Sequence, residues 1–457
     1  MKILLIQPAK APKTIGGEDV LIFEPLALEY IASGVIGNHD VKILDMRLDK
    51  DFKKVFDEFK PDVVGITAYT VHVNTVNALF KKIKTWNPEV FTVIGGHHAT
   101  VAPEDFLDSS IDLIIMGEGV FAFQEIMRRL EKKEAFDGIK GIAYRKENDI
   151  IKIPHEPVVG LDALPLPNRD LTKQYRSSYF SEWMKPLASI RTSKGCPFRC
   201  HFCALWKLTS GRYLTRKPEH IIRELSEIEE PFVFFADDES LIDSKRMMEL
   251  AKRIKESGIK KRYFLYGRSD TIVKHPELLE SWKKIGLERV FVGLEFFRDE
   301  DLKYIKKGST VRNNKEAVKI LQDMDIEIYA SFIIRPEFVK ENFRKFRDYC
   351  RNLRLNFATF SVLTPLPGTD LYEKVKDQLI THNYDYFDFL HTLLPTSLPL
   401  KEFYRELYEL YKKSVPFSNW ISFIKKFPLV EIPSILKISN RAFNQIKNAY
   451  KDYDGHL

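Results

Sequence analysis

At 457 residues, 44% hydrophobic and 30% charged, the chain is globular rather than disordered or fibrous, and its length predicts two or three domains. The formal charge of +7 comes from 71 Lys and Arg against 64 Asp and Glu dispersed along the whole length, a solvated surface rather than a nucleic-acid-binding one. Four cysteines are too few for a disulfide framework and no window is apolar for long enough to cross a bilayer, so a cytoplasmic protein is expected.

The first 140 residues alternate short apolar runs with amphipathic ones. "KILLIQ", "DVKILDM", "DVVGITA", "FTVIGG" and "LIIMGEG" read as buried parallel strands. "EPLALEYIASGVI", "LDKDFKKVFDEF" and "VNTVNALFKKIKTW" read as the helices between them. This pattern predicts a doubly wound, Rossmann-like α/β domain over residues 1–140, with ligands at the carboxyl ends of its strands. Residues 141–187 read as a linker, because the prolines of "LDALPLPNRD" interrupt regular elements. From residue 188 to 370 six further β/α units follow, with strands at "ASIRTS", "FVFFADD", "RYFLYGR", "RVFVGLE", "EIYASFII" and "FATFSVLTP". They predict a partial (β/α)6 barrel whose site opens at the strand C-termini. Residues 371–457 read as mostly helical. The stretch "FSNWISFIKKFPLVEIPSILKISNRAFNQIKNAY" mixes aromatic and aliphatic residues with Lys and Arg, as a helical cap or a face resting on an anionic membrane would.

Three of the four cysteines crowd into "RTSKGCPFRCHFCALW", directly after the first barrel strand. Cys196, Cys200 and Cys203, spaced CxxxCxxC, supply three thiolates, enough for three irons of a [4Fe–4S] cubane with the fourth left open. Structural zinc is the alternative, but a second ligand pair is missing, and His201 reads as loop filling.

CxxxCxxC behind the first strand of a β/α barrel resembles the radical S-adenosylmethionine (SAM) enzymes, and Phe202 before the last cysteine matches their CxΦC ending. The resemblance implies that the open iron chelates SAM. An electron from a donor such as flavodoxin or ferredoxin then cleaves SAM to a 5′-deoxyadenosyl radical. It also implies SAM contacts at Asp237, Asp238 and Glu239 in "FFADDES", at Arg268 after "YFLYG", and at Glu295 in "VGLEFF". The alternative for each is a strand-end residue capping the next helix.

The front domain resembles the cobalamin-binding module of B12-dependent radical SAM proteins, with "VIGGHHATVAPE" matching their GGxHxTxxPE stretch. By that resemblance Thr67, Thr70, Gly95 and Gly96 meet the corrin or its tail, and Gly117, Glu118 and Gly119 the ring edge. The turn that would carry a lower axial histidine reads "LDMRLDKD" and has none, so cobalamin is expected base-off. His72, His97 and His98 read as loop or pocket residues.

Two such cofactors imply radical methylation of an unactivated sp³ carbon through methylcobalamin. The region "FSVLTPLPGTDLYEKV" onward, with Arg335, Pro336 and Glu337 at a strand end, resembles the tail of hopanoid C-3 methylases and related isoprenoid-lipid enzymes. A polycyclic or isoprenoid lipid substrate and a peripheral membrane contact follow as expectations. Radical ring closure or carbon–carbon bond formation on a lipid or tetrapyrrole is an alternative, and a cobalamin-binding sensor with an inert barrel is another. Cys350, on a predicted helix, has no assigned role.

Overall fold

The computed structural model describes residues 1–146, 149–156 and 160–453. The front domain is built on a seven-stranded sheet. Its parallel part runs, in spatial order, Asp40–Asp45, Lys2–Gln7, Val63–Thr67, Phe91–Gly95 and Leu113–Ile115. The apolar runs are continuous because both faces are covered. Leu4 and Ile6 pack with Phe52, Phe56, Val76 and Phe80 from the helices Phe52–Phe59 and Val73–Trp86. Ile3 and Leu5 point the other way, to Leu28, Ala32, Phe123 and Ile126 from Leu26–Ser33 and Gly119–Lys132.

The segment read as a linker holds regular structure that the prolines do not prevent. Ile142–Lys146 and Asp149–Ile153 pair antiparallel with each other, and the first also pairs with Leu113–Ile115, extending the front sheet. Later in the segment a 3-10 helix, Arg169–Ser178, ties the two halves of the chain together. Arg169 and Arg176 both reach Glu24 of the front domain, while Arg169 also meets Glu224 and Arg176 meets Glu230 of the barrel.

The second sheet has six parallel strands in sequence order: Leu187–Ile190, Phe232–Phe235, Arg262–Gly267, Leu287–Glu295, Glu327–Ile334 and Ala358–Val362. The first and last are sheet edges, so the barrel is partial. Alternation sorts its side chains. Val233, Phe235, Tyr263, Leu265, Val290 and Val292 pack outward with Met247, Leu250, Leu279 and Trp282. Phe232, Phe234, Phe264, Tyr266, Phe291 and Tyr329 form a separate aromatic cluster within the barrel. The outer helix Ser244–Ser257 shows how locally such elements are specified: Asp243 caps its N-terminus by accepting from the Arg246 N–H, and Gly258 closes it at φ +72°.

The C-terminal region is mostly helical, with Leu400–Lys413, Phe417–Ile424 and Ile432–Asn448 as its main helices. It returns to the front domain: Tyr384 donates to Asp105 at 2.7 Å, Lys13 pairs with Asp452 at 3.0 Å, and the Ile15 N–H meets Asp388 at 2.9 Å. Among the described residues no helix is long and apolar enough to cross a membrane.

Candidate active site

The cysteine loop leaves the C-terminal end of the first barrel strand and is fastened by the end of the second. Asp237, almost fully buried, accepts the Thr192 N–H at 2.7 Å, the Thr192 hydroxyl at 2.6 Å and the Ser193 N–H at 2.8 Å. Asp238 accepts the Gly195 N–H at 2.6 Å. Gly195 has φ +93°, and a Cβ there would stand 2.6 Å from the Thr209 hydroxyl. The two aspartates therefore turn their carboxylates to the loop, and the backbone of residues 237–239 is the part left to meet a ligand. Glu239 is buried, and burial pushes its carboxyl up to about 8.

Cys200 is buried and Cys196 and Cys203 are half-buried. Burial pushes Cys203 up to about 12, with the neighbouring Cys200 and Cys196 adding to it, and raises the other two thiols as well. Among the described residues no three His, Cys, Asp or Glu side chains converge on one metal-ion position. Three thiols on one short loop suit a cubane, where each holds a separate iron. Cys350 is fully buried in the outer core of the barrel, an apolar packing residue.

Arg268 lies 3.5 Å from the centroid of the Phe198 ring, inside the cysteine loop. Its guanidinium is fixed by Asp270 at 2.9 and 3.1 Å and by the Lys307 carbonyl at 2.6 Å, and its charge acts on Cys196 and Cys200. Glu295 sits at φ +61°, rare for a residue with a side chain, where the strand pairing slips register. It accepts from Lys307 Nζ at 2.7 Å, a buried pair. Burial opposes charge on Lys307, but Glu295 and Cys200 outweigh it and keep the amine cationic. Nothing in "YIKKGST" distinguishes Lys307 from its neighbour, so the sequence alone could not have found it.

The front domain turns its strand ends toward the same place. Glu118 meets Lys194 at 2.9 Å and Arg191 at 3.5 Å, both in or beside the cysteine loop. Burial opposes its ionisation, and these two cations hold its carboxyl below the usual range. Tyr69, another residue that sequence reasoning passed over, exposes 60% of its surface while Arg191 and Asp238 of the barrel act on its hydroxyl. It stands where the front domain faces the barrel. His72 and His97 flank its ring, at 6.1 and 5.9 Å between centroids, and burial pushes both down to about 4, so they are neutral imidazoles. Arg47 occupies the position of the missing histidine. It is bound to Asp45 at 2.6 and 2.8 Å and cannot ligate a metal.

The other strand-end residues of the front domain are closely packed. Thr70 bonds His98 at 3.1 Å and His98 bonds Asp105 at 2.8 Å, which accounts for both. Gly96 has φ +101°, and a Cβ there would meet Thr67 Oγ1 at 2.6 Å. At Gly117 a Cβ would meet His155 at 2.9 Å, and at Gly119 it would meet Ile31 at 3.1 Å. Gly95 is the roomier one, with no atom nearer than 3.9 Å to a Cβ.

The chain matches the B12 binding domain over residues 12–127 and the radical SAM superfamily over residues 190–353. It is 34% identical over 428 residues to the hopanoid C-3 methylase of Methylococcus capsulatus, covering 90% of this chain and 81% of that protein. The chain belongs to the cobalamin-dependent radical SAM methyltransferases. An uncharacterised methyltransferase of Pyrococcus horikoshii is 31% identical, with 89% of each chain covered. The solved structure of OxsB, a cobalamin-dependent SAM radical enzyme, shares the fold at a TM-score of 0.71 and 15% identity, covering 100% of this chain and 80% of that one.

A radical SAM methyltransferase of this kind works with a [4Fe–4S] cluster, SAM and cobalamin. The residues present fit them. Burial makes the three thiols costly to ionise despite the nearby cations, and bonding to iron would offset that cost. The 237–239 backbone and Arg268 offer an acceptor edge and a cation for an amino acid group. Beside Tyr69 both imidazoles are neutral, and Arg47 leaves no side chain at its position able to ligate cobalt.

Proposed function

We propose that this radical SAM methyltransferase methylates an unactivated sp³ carbon of a polycyclic or isoprenoid lipid. The observation that carries the reading is the barrel lumen. Tyr266, Phe291, Tyr329 and Phe357 are half-buried and pass ring to ring at 4.8, 5.2 and 4.8 Å, with Phe23 stacked on Phe234 at 4.4 Å. These rings meet edge to face and make an apolar wall, which suits a fused-ring hydrocarbon that has no hydrogen bonds to lose on burial. The floor is closed by Arg289, buried between Glu182 and Glu327. The methylase relative of Methylococcus capsulatus supports the same substrate class.

In this reading Cys196, Cys200 and Cys203 each hold one iron. When bound, the cluster, SAM and cobalamin together supply hydrogen abstraction from carbon and a transferable methyl group. The chain's own residues position and exclude. Asp237 and Asp238 fix the path of the cysteine loop. Arg268 presents its cation to the SAM carboxylate, while the Glu295–Lys307 pair holds a charge-neutral wall beside Cys200. Tyr69, with Gly95 behind it, meets the corrin, and the Glu118 bridge keeps the two domains face to face so that the reacting carbons stay in line. The lumen aromatics keep water out. The electron comes from a low-potential donor such as flavodoxin or ferredoxin, and the lipid substrate sets the enzyme at the inner face of the membrane.

The division of the chain we propose is a cobalamin domain at 1–140, a connector at 141–187, the SAM barrel at 188–370 and a helical region at 371–457. The test is expression in a host whose lipids are known, followed by mass measurement of extracted lipids. A gain of one methylene is the expected result. Loss of hydrogen instead would mean ring closure, and an unchanged profile with soluble holoprotein present would refute the lipid reading.

A further inference from the structure

Helix Phe417–Ile424 carries apolar side chains that the fold does not cover. The three most exposed large apolar side chains among the described residues are Val430 at 85%, Leu429 at 82% and Phe417 at 74%. Phe417 stacks on Trp420 at 5.9 Å at the start of the helix, and Leu429 and Val430 follow its end. The helix between them is about 12 Å long. Between and after them stand Lys425, Lys426, Lys437, Arg441 and Lys447 against a single acid, Glu431, a balance of five to one. Lys426 is paired with Glu327 and Lys447 lies over the Tyr408 ring at 5.5 Å, which leaves Lys425, Lys437 and Arg441 for an external partner.

We propose that residues 417–448 dock the enzyme on the surface of an anionic lipid bilayer. The inference rests on the lipid reading above and deepens it by naming the surface through which the substrate's membrane is met. Isolated Phe, Trp, Leu and Val side chains among lysines are the composition that dips into a headgroup region while cations meet phosphates. The same segment is fixed firmly to the barrel by its other side. Phe423 stacks on Phe357 at 5.2 Å, Phe423 and Phe427 join the internal aromatic cluster, and Asn419 donates to the Arg354 carbonyl at 2.7 Å. Phe357 leads into Ala358–Val362, the edge strand at the seam of the partial barrel. Docking there sets the seam of the partial barrel, with Phe357 just inside Phe423, beside the bilayer.

The experiment is flotation of the holoenzyme with vesicles of phosphatidylcholine alone and of an equimolar phosphatidylcholine–phosphatidylglycerol mixture. The mixed vesicles are expected to carry the protein and the neutral ones much less. A Leu429→Asp/Val430→Asp variant is expected to bind the mixed vesicles at least about tenfold more weakly. Its rate of 5′-deoxyadenosine formation should be unchanged, since neither residue touches the cysteine loop. Absence of flotation on both vesicle types overturns the proposal, as does unaltered binding by the variant. A concentration-dependent dimer that the variant abolishes, without vesicle binding, assigns the face to a second copy and overturns it too. Vesicle binding with no methylated lipid leaves the surface standing and removes the substrate reading. Methylation of detergent-dispersed lipid without flotation does the reverse.

Discussion

Replacing Asp237 by Ala tests whether the second barrel strand builds the cluster loop. The Asp237 carboxylate is the acceptor for two backbone N–H groups and one hydroxyl, and both Thr192 and Ser193 are almost fully buried. The hydroxyl can turn to another acceptor; the two N–H groups cannot. Each buried donor left unpaired costs about 1–3 kcal/mol, and removal of the buried carboxylate returns part of that through its own desolvation, so a loss of about 1–4 kcal/mol is expected. Because the loop carries Cys196 only three residues beyond Ser193, the damage falls on metal loading. The assay is iron and sulfide per chain after anaerobic reconstitution, together with the urea midpoint of the metal-free protein. Asp237→Ala is expected to lose most of its iron and shift the midpoint down. Asp237→Asn keeps one oxygen for the two N–H groups and should lose about 1 kcal/mol with most iron retained. Full iron loading and a wild-type midpoint in the Ala variant would refute the tether.

Replacing Cys200 by Ala is expected to abolish both iron incorporation and SAM cleavage, read by metal analysis and 5′-deoxyadenosine formation; retention of both would sink the cluster assignment. His391 sits between Asp388 at 3.0 Å and Asp452 at 3.3 Å. Burial opposes its protonation, but the two carboxylates outweigh burial and raise its pKa above 6.5. A raised pKa means a contribution that is full below the unfolded value and lost as pH rises through the folded one. Hydrogen exchange at residues 449–453 should therefore quicken as pH rises above 6.5, beyond its intrinsic rise, and His391→Gln should remove that extra dependence. At Gly96, a change to Ala combines φ +101° with a 2.6 Å clash against Thr67 Oγ1 and should lower the thermal midpoint and cobalamin content together. Tyr69→Ala, in contrast, should reduce bound cobalamin per chain without moving the midpoint, since most of that side chain is already exposed.

Much of the architecture was legible because its signals are local. Continuous apolar runs marked strands covered on both faces, and the 3.6-residue pattern marked helices such as Val73–Trp86 and Ser244–Ser257. The hairpin after Leu113–Ile115 was missed, since the prolines further along the connector dominated the reading of the whole segment. The site was less legible. Cys196, Cys200 and Cys203 declare themselves because one loop carries all three. Asp237 and Asp238 were picked out by position, but their carboxylates face the cysteine loop, a pairing across more than forty residues that no spacing reveals. Lys307 and Tyr69 carry no motif at all.

By itself, then, the sequence determined the two α/β units, their order and the three-cysteine loop, each written in contiguous residues whose period or spacing has one physical meaning. Only the tertiary structure decided which groups meet. Glu118 meets Lys194, Arg268 meets Phe198 and Lys307, and the C-terminal residues return to Lys13 and Asp105. Those contacts depend on how strands and helices pack over long separations, where burial selects a partner by distance in space and not by position along the chain.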